Sequence, residues 1–354
     1  MPHVVLVLNP GATSTKVAIF HDDQEVWRES IRHDPDKLNG FGSIAGQLDY
    51  RFKLLKEVLP QEHLDGLEIV VGRGGLLRPI EGGIYSVDPF MLRDVREARN
   101  GEHASNLGPL LADRFASERG IQAVIVDPVT TDEFTPIARV SGVPGIERKC
   151  RSHALNIKAV AHRTAKKLNL SFQSTRFVVA HLGGGISIAA LNCGRIVDVN
   201  DGLLGMGPFS PERAGALPLQ GVIDFVRDKG VEETIRIFSR QSGFMGYFGT
   251  SSLEEVEKRI DSGNAEAKLV YDAMIYQITK EIGAMAGALG MKPHAVILTG
   301  GLANSERLVE DITQCVEMFA PVFTLPGEEE MLALAEGGLR VLNGEETAKP
   351  YGEA

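Results

Sequence analysis

Two stretches of this chain share one pattern of apolar and polar positions. VVLVLN, beginning at Val4, runs into the turn Pro10-Gly11-Ala12-Thr13-Ser14-Thr15-Lys16 and then VAIF; FVVAHL, beginning at Phe177, runs into Gly183-Gly184-Gly185 and then ISIAAL. Each reads as a β-hairpin, because short apolar runs broken by turn residues suit paired strands. Each continues through a polar reverse turn (His21 to Gln24; Asn192 to Arg195) into a further apolar stretch. A tight turn rich in Gly, Ser and Thr lets backbone N–H groups and hydroxyls converge on an anion, since no bulky side chain keeps it away. Most such turns only connect strands. The duplication points further, to two similarly built halves closing on a shared cleft whose facing turns hold the ends of a polyphosphate.

Elsewhere strands and helices alternate as in an α/β protein. An amphipathic stretch over 43–58 precedes a strand from Leu67 to Val71 that ends in Gly72-Arg73-Gly74-Gly75. Helical patterns over 89–98 and 106–118 lead to a strand, Ala123 to Val126, that runs into Asp127. A basic loop then reaches a long helix over 154–168. That loop is the expected boundary between a first domain over residues 1–150, completed by a terminal helix within 328–354, and a second over 151–327. The second half continues through a Gly/Pro-rich segment and a mostly helical region, 219–289. A late strand, Ala295 to Leu298, opens into Thr299-Gly300-Gly301-Leu302-Ala303-Asn304-Ser305. The glycines permit close backbone approach by a flat or phosphorylated ligand, and Asn304 or Ser305 can cap the next helix.

At 354 residues the chain exceeds what one hydrophobic core accommodates, and 43% hydrophobic with 24% charged residues supports two ordinary globular cores. The net charge of −10 argues against nucleic acid or an anionic membrane as the main partner, so an anionic ligand requires a local basic cleft. No run is apolar for long enough to span a bilayer, and the first residues enter a strand without a charged leader, which gives a cytoplasmic expectation. Cys150, Cys193 and Cys315 lack metal-ligand or redox spacing and are expected to be reduced thiols.

The NPGATSTK run at Asn9, the HLGGG turn at His181, the TGGLANS turn at Thr299 and the PGEEEMLALAEG segment at Pro326 together resemble, in order and spacing, the acetate, propionate and butyrate kinase family. Within it the wording is most similar to the butyrate branch. The resemblance implies a two-domain α/β fold of the actin-like ATPase (ribonuclease H-like) type with a duplicated βββαβαβα core. It also implies ATP and Mg²⁺ as cofactors, and a reversible transfer from ATP to a short-chain carboxylate that gives an acyl phosphate and ADP. A homodimer or higher homo-oligomer is expected, with the helices of 219–289 supplying an apolar interface. A carboxylate is already ionised near pH 7 and needs no general base, so the demands are alignment and stabilisation of the transferring group.

By the same resemblance, Asn9, Ser14 and Lys16 fall on a first phosphate hairpin, Gly183, Gly184 and Gly185 on a second, and Gly300, Gly301 and Asn304 on the adenosine side. His153, His181 and Arg213 stabilise the phosphoryl group in flight, and Asp127 and Glu330 approach the metal. Ala12 stands where acetate kinases commonly have Ser and Gly184 where they have Asn, so backbone contacts carry more of the binding. Asp127 also reads as a turn former before Pro128, His181 as a strand-end histidine satisfied by backbone, and Glu328 and Glu329 share the case for Glu330. The arginine that holds the carboxylate in acetate kinases aligns with Val70 here, leaving Arg73, or Arg78, for that role. Ser152 precedes His153 where acetate kinases have an aromatic residue, and Gly72 stands where they tend to have Val. Smaller residues enlarge the acyl pocket and favour a four- or five-carbon acid over acetate, at about 0.8 kcal/mol per buried methylene. Butyrate, isobutyrate, valerate and isovalerate are not separated by these residues. An actin-like filament or chaperone ATPase shares the hairpins without needing the His153, His181 and Arg213 set, and a phosphatase on this fold would need a carboxylate such as Asp127 or Glu330 to position water.

Overall fold

In the computed structural model, which describes residues 2–352, both apolar hairpins form. The chain divides into two units: one takes the residues up to Asp132 together with the segment from Glu329 onward, the other is Glu133–Glu328. In the first unit β1 (Val4–Pro10), β2 (Ser14–His21) and β3 (Gln24–Arg32) make an antiparallel meander. Then β4 (Leu67–Arg73) joins parallel to β1, and β6 (Gln122–Val126) joins parallel to β4. The short strands β5 (Ile84–Ser86) and β12 (Lys349–Pro350) extend the far edge. In the second unit β7 (Arg176–Leu182), β8 (Ile186–Asn192) and β9 (Arg195–Val199) make a like meander, β10 (Ala295–Gly300) lies parallel to β7, and β11 (Val322–Pro326) parallel to β10. The duplicated hairpin is therefore part of a duplicated sheet, with β3-β2-β1-β4-β6 matched by β9-β8-β7-β10-β11.

Sheets covered on both faces carry near-continuous apolar strands, which is why β1 and β7 read as unbroken runs. Alternate residues of β7 serve different cores. Val178, Ala180 and Leu182 join Phe244, Tyr271, Met274 and Ile278, whereas Phe177 and Val179 join Ile157, Val160 and Ala161 of the helix Ala154–Lys167. In β4 the same alternation sets Val70 against the core that holds Leu107 and Leu111, while Val71 faces the terminal helix Glu330–Leu342. That helix lies close because Gly337 and Gly338 lack side chains. A Cβ at 338 would come within 2.8 Å of Val71, and one at 337 would collide with Val126. On the opposite face Gly72 packs on the helix Leu107–Ser117, where a Cβ would meet the Gly108 carbonyl at 2.5 Å. The volume missing at Gly72 is thus filled by helix backbone, so the glycine has a packing cause of its own.

The terminal helix begins at Glu330, leaving Glu328 and Glu329 ahead of it. The region 219–289 resolves into Leu219–Lys229, Val231–Arg240, Gly243–Phe248, Leu253–Asp261 and Ala265–Ala288. Among the described residues no helix is long and apolar enough to cross a membrane.

Candidate functional site

In the second unit, the carboxyl ends of β7, β10 and β11 and the start of the helix Ala154–Lys167 bring several polar groups together. His181 is buried at the end of β7, with Nδ1 2.8 Å from Asn156 Oδ1 and Nε2 3.1 Å from Glu328 Oε1. The Asn156 amide is oriented by its other partners. Its Nδ2 donates to the Gly327 carbonyl at 3.4 Å, and Thr299 Oγ1 donates to its Oδ1 at 3.3 Å. A carbonyl can only accept, so Oδ1 faces the ring and His181 donates through Nδ1. His153, which precedes the helix, stacks on His181 with centroids 3.9 Å apart and 17° between planes, and its Nδ1 lies 3.0 Å from Ser187 Oγ on β8.

The Gly183-Gly184-Gly185 turn adjoins this pair. A Cβ at Gly183 would stand 3.3 Å from Glu328 Oε1 and 3.4 Å from His181 Nε2, and one at Gly185 would overlap the Arg213 guanidinium. Glycine here is what allows those side chains to reach the backbone. Ser210 Oγ donates to the Gly184 carbonyl at 2.5 Å, and Arg213 donates to the Gly202 carbonyl. Burial lowers the Arg213 pKa from its ordinary value, while Glu212 and Asp201 push it back up. Its Nε is buried without a partner among the described residues. A cation and two imidazoles around one Gly-rich turn are suited to charge developing on an oxyanion. Asn156, Ser187, Ser210 and Glu212 were not among the residues expected from the sequence. The signal available for Asn156 was a polar residue within the otherwise apolar start of ALNIKAVA.

The late Gly-Gly turn is built as a bridge. Gly300, at φ 90°, exchanges backbone hydrogen bonds with Gly327 at 3.2 and 2.9 Å, and a Cβ there would collide with the Leu182 backbone. Around Gly301 the space is open. Ser305 caps the next helix by accepting from the Leu308 N–H at 3.1 Å, while the exposed Asn304 donates to the Gly301 carbonyl at 2.8 Å.

In the first unit, Asn9, Arg73 and Glu330 form one cluster. Asn9 Nδ2 donates to Glu330 Oε2 at 2.9 Å, and Arg73 Nη1 lies 3.3 Å from Asn9 Oδ1 and 3.0 Å from Glu330 Oε1. Parallel register sets Arg73 beside Val126, so Asp127 leaves the sheet at the same end. Asp127 is buried at φ 36°, and its Oδ1 accepts from the Gly83 N–H at 2.7 Å. Among the described residues no three His, Cys, Asp or Glu side chains gather around one point. Mg²⁺ bound by phosphates and water needs only one or two carboxylates, a requirement that the hard oxygens of Asp127 and Glu330 fit. Ser14 is half-buried in the turn, and Lys16 is exposed on β2. Arg78 donates to the Tyr351 and Gly352 carbonyls and stacks on the Tyr351 ring at 3.9 Å, which ties down the C-terminal segment. Ser152 is buried, and its hydroxyl has no partner among the described residues.

Solved structures share this architecture over nearly the whole chain. Porphyromonas gingivalis acetate kinase superposes with a TM-score of 0.75 at 20% identity, covering 96% of this chain and 100% of that one. For a propionate kinase from Francisella tularensis subsp. tularensis SCHU S4 the values are 0.71, 19%, 95% and 98%. For acetate kinase from Entamoeba histolytica they are 0.75, 17%, 96% and 100%. Those likenesses establish the two-sheet, actin-like ATPase fold expected from the sequence. Residues 144–347, more than half of the chain, match the model of the Acetokinase family, and this chain belongs to it.

Proposed function

We propose that this protein is an ATP-dependent carboxylate kinase that phosphorylates a four- or five-carbon acid, butyrate foremost, giving the acyl phosphate and ADP by direct, reversible in-line transfer. The observation that carries the reading is the His153–His181 stack beside Arg213 and the Gly183–Gly185 turn, in a chain of the Acetokinase family. The acid arrives ionised, so no residue has to remove a proton. Arg213 and the imidazoles donate to the phosphoryl oxygens as their charge redistributes, and the Gly183–Gly185 amides add fixed dipoles. Gly300, Gly301 and Asn304 take the nucleotide, and Asn9, Ser14 and Lys16 the phosphate oxygens. Asp127 and Glu330 would hold Mg²⁺, which when bound screens phosphate charge. Arg73, whose side chain is 37% exposed beside Asn9 and Glu330, is retained for the substrate carboxylate, while Arg78 ties down the C-terminal segment. The small side chain of Ser152 is what favours the longer acid.

The test is trapping of acyl phosphate with hydroxylamine across C2 to C6 acids, straight and branched. A maximum at four or five carbons is expected. A maximum at acetate would remove the chain-length assignment, and ATP hydrolysis indifferent to any acid would remove the kinase. We propose in addition that the protein is a homodimer through the helices Leu219–Lys229 and Val231–Arg240, whose Leu219 and Val231 are 80% and 62% exposed.

A further inference from the structure

Behind the Gly11–Ser14 turn lies an arginine with no exposed surface. Arg51, on the helix Leu48–Val58, is 0% exposed. Its Nη1 donates to the carbonyls of Gly11 at 2.9 Å and Ser14 at 3.2 Å and to Thr15 Oγ1 at 2.9 Å, and its Nη2 donates to the Ala12 carbonyl at 3.2 Å. Gln47 Oε1 accepts from Nη2 at 2.8 Å and from Nε at 3.1 Å. The remaining turn carbonyl, of Thr13, accepts from the His33 N–H at 2.9 Å. Every carbonyl from Gly11 to Ser14 is therefore occupied from within the unit.

In a trans peptide the carbonyl of one residue and the N–H of the next point to opposite sides. Drawing the Gly11 and Ala12 carbonyls toward Arg51 therefore turns the Ala12 and Thr13 N–H groups away from it. Both residues are exposed, and among the described residues neither N–H has an acceptor in the chain. Arg51 has an unusual set of partners for a buried cation. All of them are carbonyls, an amide or a hydroxyl, and among the described residues no carboxylate pairs with it. Buried charges are ordinarily paired, so a counter-charge supplied from outside is what this arrangement lacks. Burial lowers the guanidinium pKa to about 10, which leaves it charged at neutral pH.

We infer that Arg51 is a positioning residue for phosphate binding, holding the turn's carbonyls inward so that the Ala12 and Thr13 amides face the ligand, and placing an unneutralised positive charge behind them. It never touches the ligand. A planar fork can serve several carbonyls at once, whereas an ammonium at the same place is a point charge on a flexible stem. The inference rests on the phosphate role proposed above for this turn.

Two measurements on the full chain test it. Inorganic tripolyphosphate should slow amide exchange at Ala12 and Thr13 in the wild type at least tenfold, and an unchanged rate overturns the inference. Arg51→Lys, which keeps the charge, should lose that protection and lower kcat/KM for ATP at least tenfold while the KM for the carboxylate stays within about twofold. Arg51→Met should do the same more severely; where it fails to fold, Arg51→Lys decides. A folded Arg51→Lys with wild-type protection and wild-type kcat/KM overturns the inference. Absence of acyl phosphate from the wild type with every acid would overturn the kinase reading alone, since the exchange experiment still decides Arg51.

Discussion

At Arg213 burial and charge act in opposite directions on one guanidinium, and burial is the larger effect. Burial lowers its pKa, Glu212 and Asp201 raise it, the guanidinium lies against Gly185, and Nε has no partner among the described residues. Loss of a donor that acts mainly in the transition state is worth ~3 kcal/mol, about a hundredfold in rate. Arg213→Ala is expected to lower kcat by that factor and leave the KM for ATP within a fewfold, so steady-state kinetics with a near-wild-type kcat would remove Arg213 from the chemistry. His33 carries a separate consequence. Its Nε2 lies 2.8 Å from Thr15 Oγ1, and burial, then the neighbouring Arg51, lower its pKa from 6.5 to about 4. The unfolded chain therefore binds the proton first, and the stability His33 contributes is complete above pH 6.5 and is lost as pH falls toward 4. From pH 7 to 5 the loss from this group is about 2 kcal/mol. His33→Gln should flatten the pH dependence of the urea midpoint over that interval; an equally steep dependence in the variant would show that another group is responsible.

At the scale of elements, close approach between helix and sheet decides the sign of a substitution. Gly to Ala within a helix ordinarily stabilises by about 1 kcal/mol. At Gly337 the new methyl would collide with Val126, and overpacking of this kind costs roughly 1–3 kcal/mol. We expect Gly337→Ala to lower the denaturation midpoint despite its better helix propensity, whereas a raised midpoint would mean that the terminal helix has slack against β6. The hairpins were legible in sequence because a buried strand needs consecutive apolar residues and its turn needs small or polar ones. The Ser305 cap was legible only as a choice between two residues, since both types accept hydrogen bonds from backbone N–H groups. Geometry selects Ser305 because the Asn304 amide bends back onto the Gly301 carbonyl.

For the whole molecule, the outward apolar residues of 219–240 lead to a prediction about assembly. Phe225 and Phe238 pack at 5.1 Å between their ring centroids and hold the two helices together, while Leu219 and Ile223 remain 80% and 53% exposed. Light scattering should give a dimer mass for the wild type and a monomer mass for Leu219→Glu combined with Ile223→Glu; a monomeric wild type would refute the interface. The amino-acid sequence by itself determined the duplicated hairpins, since apolar runs and glycine turns follow from local burial and backbone freedom, while the duplicated sheet around them was implied only by the family resemblance. It also determined which motifs carry the family likeness. Only the tertiary structure decided which side chains meet. Arg51 reaches Gly11 across 40 positions of chain, and His181 reaches Glu328 across 147. Arg78 and Arg73 look alike in sequence, yet one is bound to the C-terminal segment and the other clusters with Asn9 and Glu330. Gly72, read in sequence as room for a substrate, also packs directly against the Gly108 backbone. The physical reason is the same in each case: local pattern sets which face of an element is buried, whereas register and helix packing set what that face is buried against.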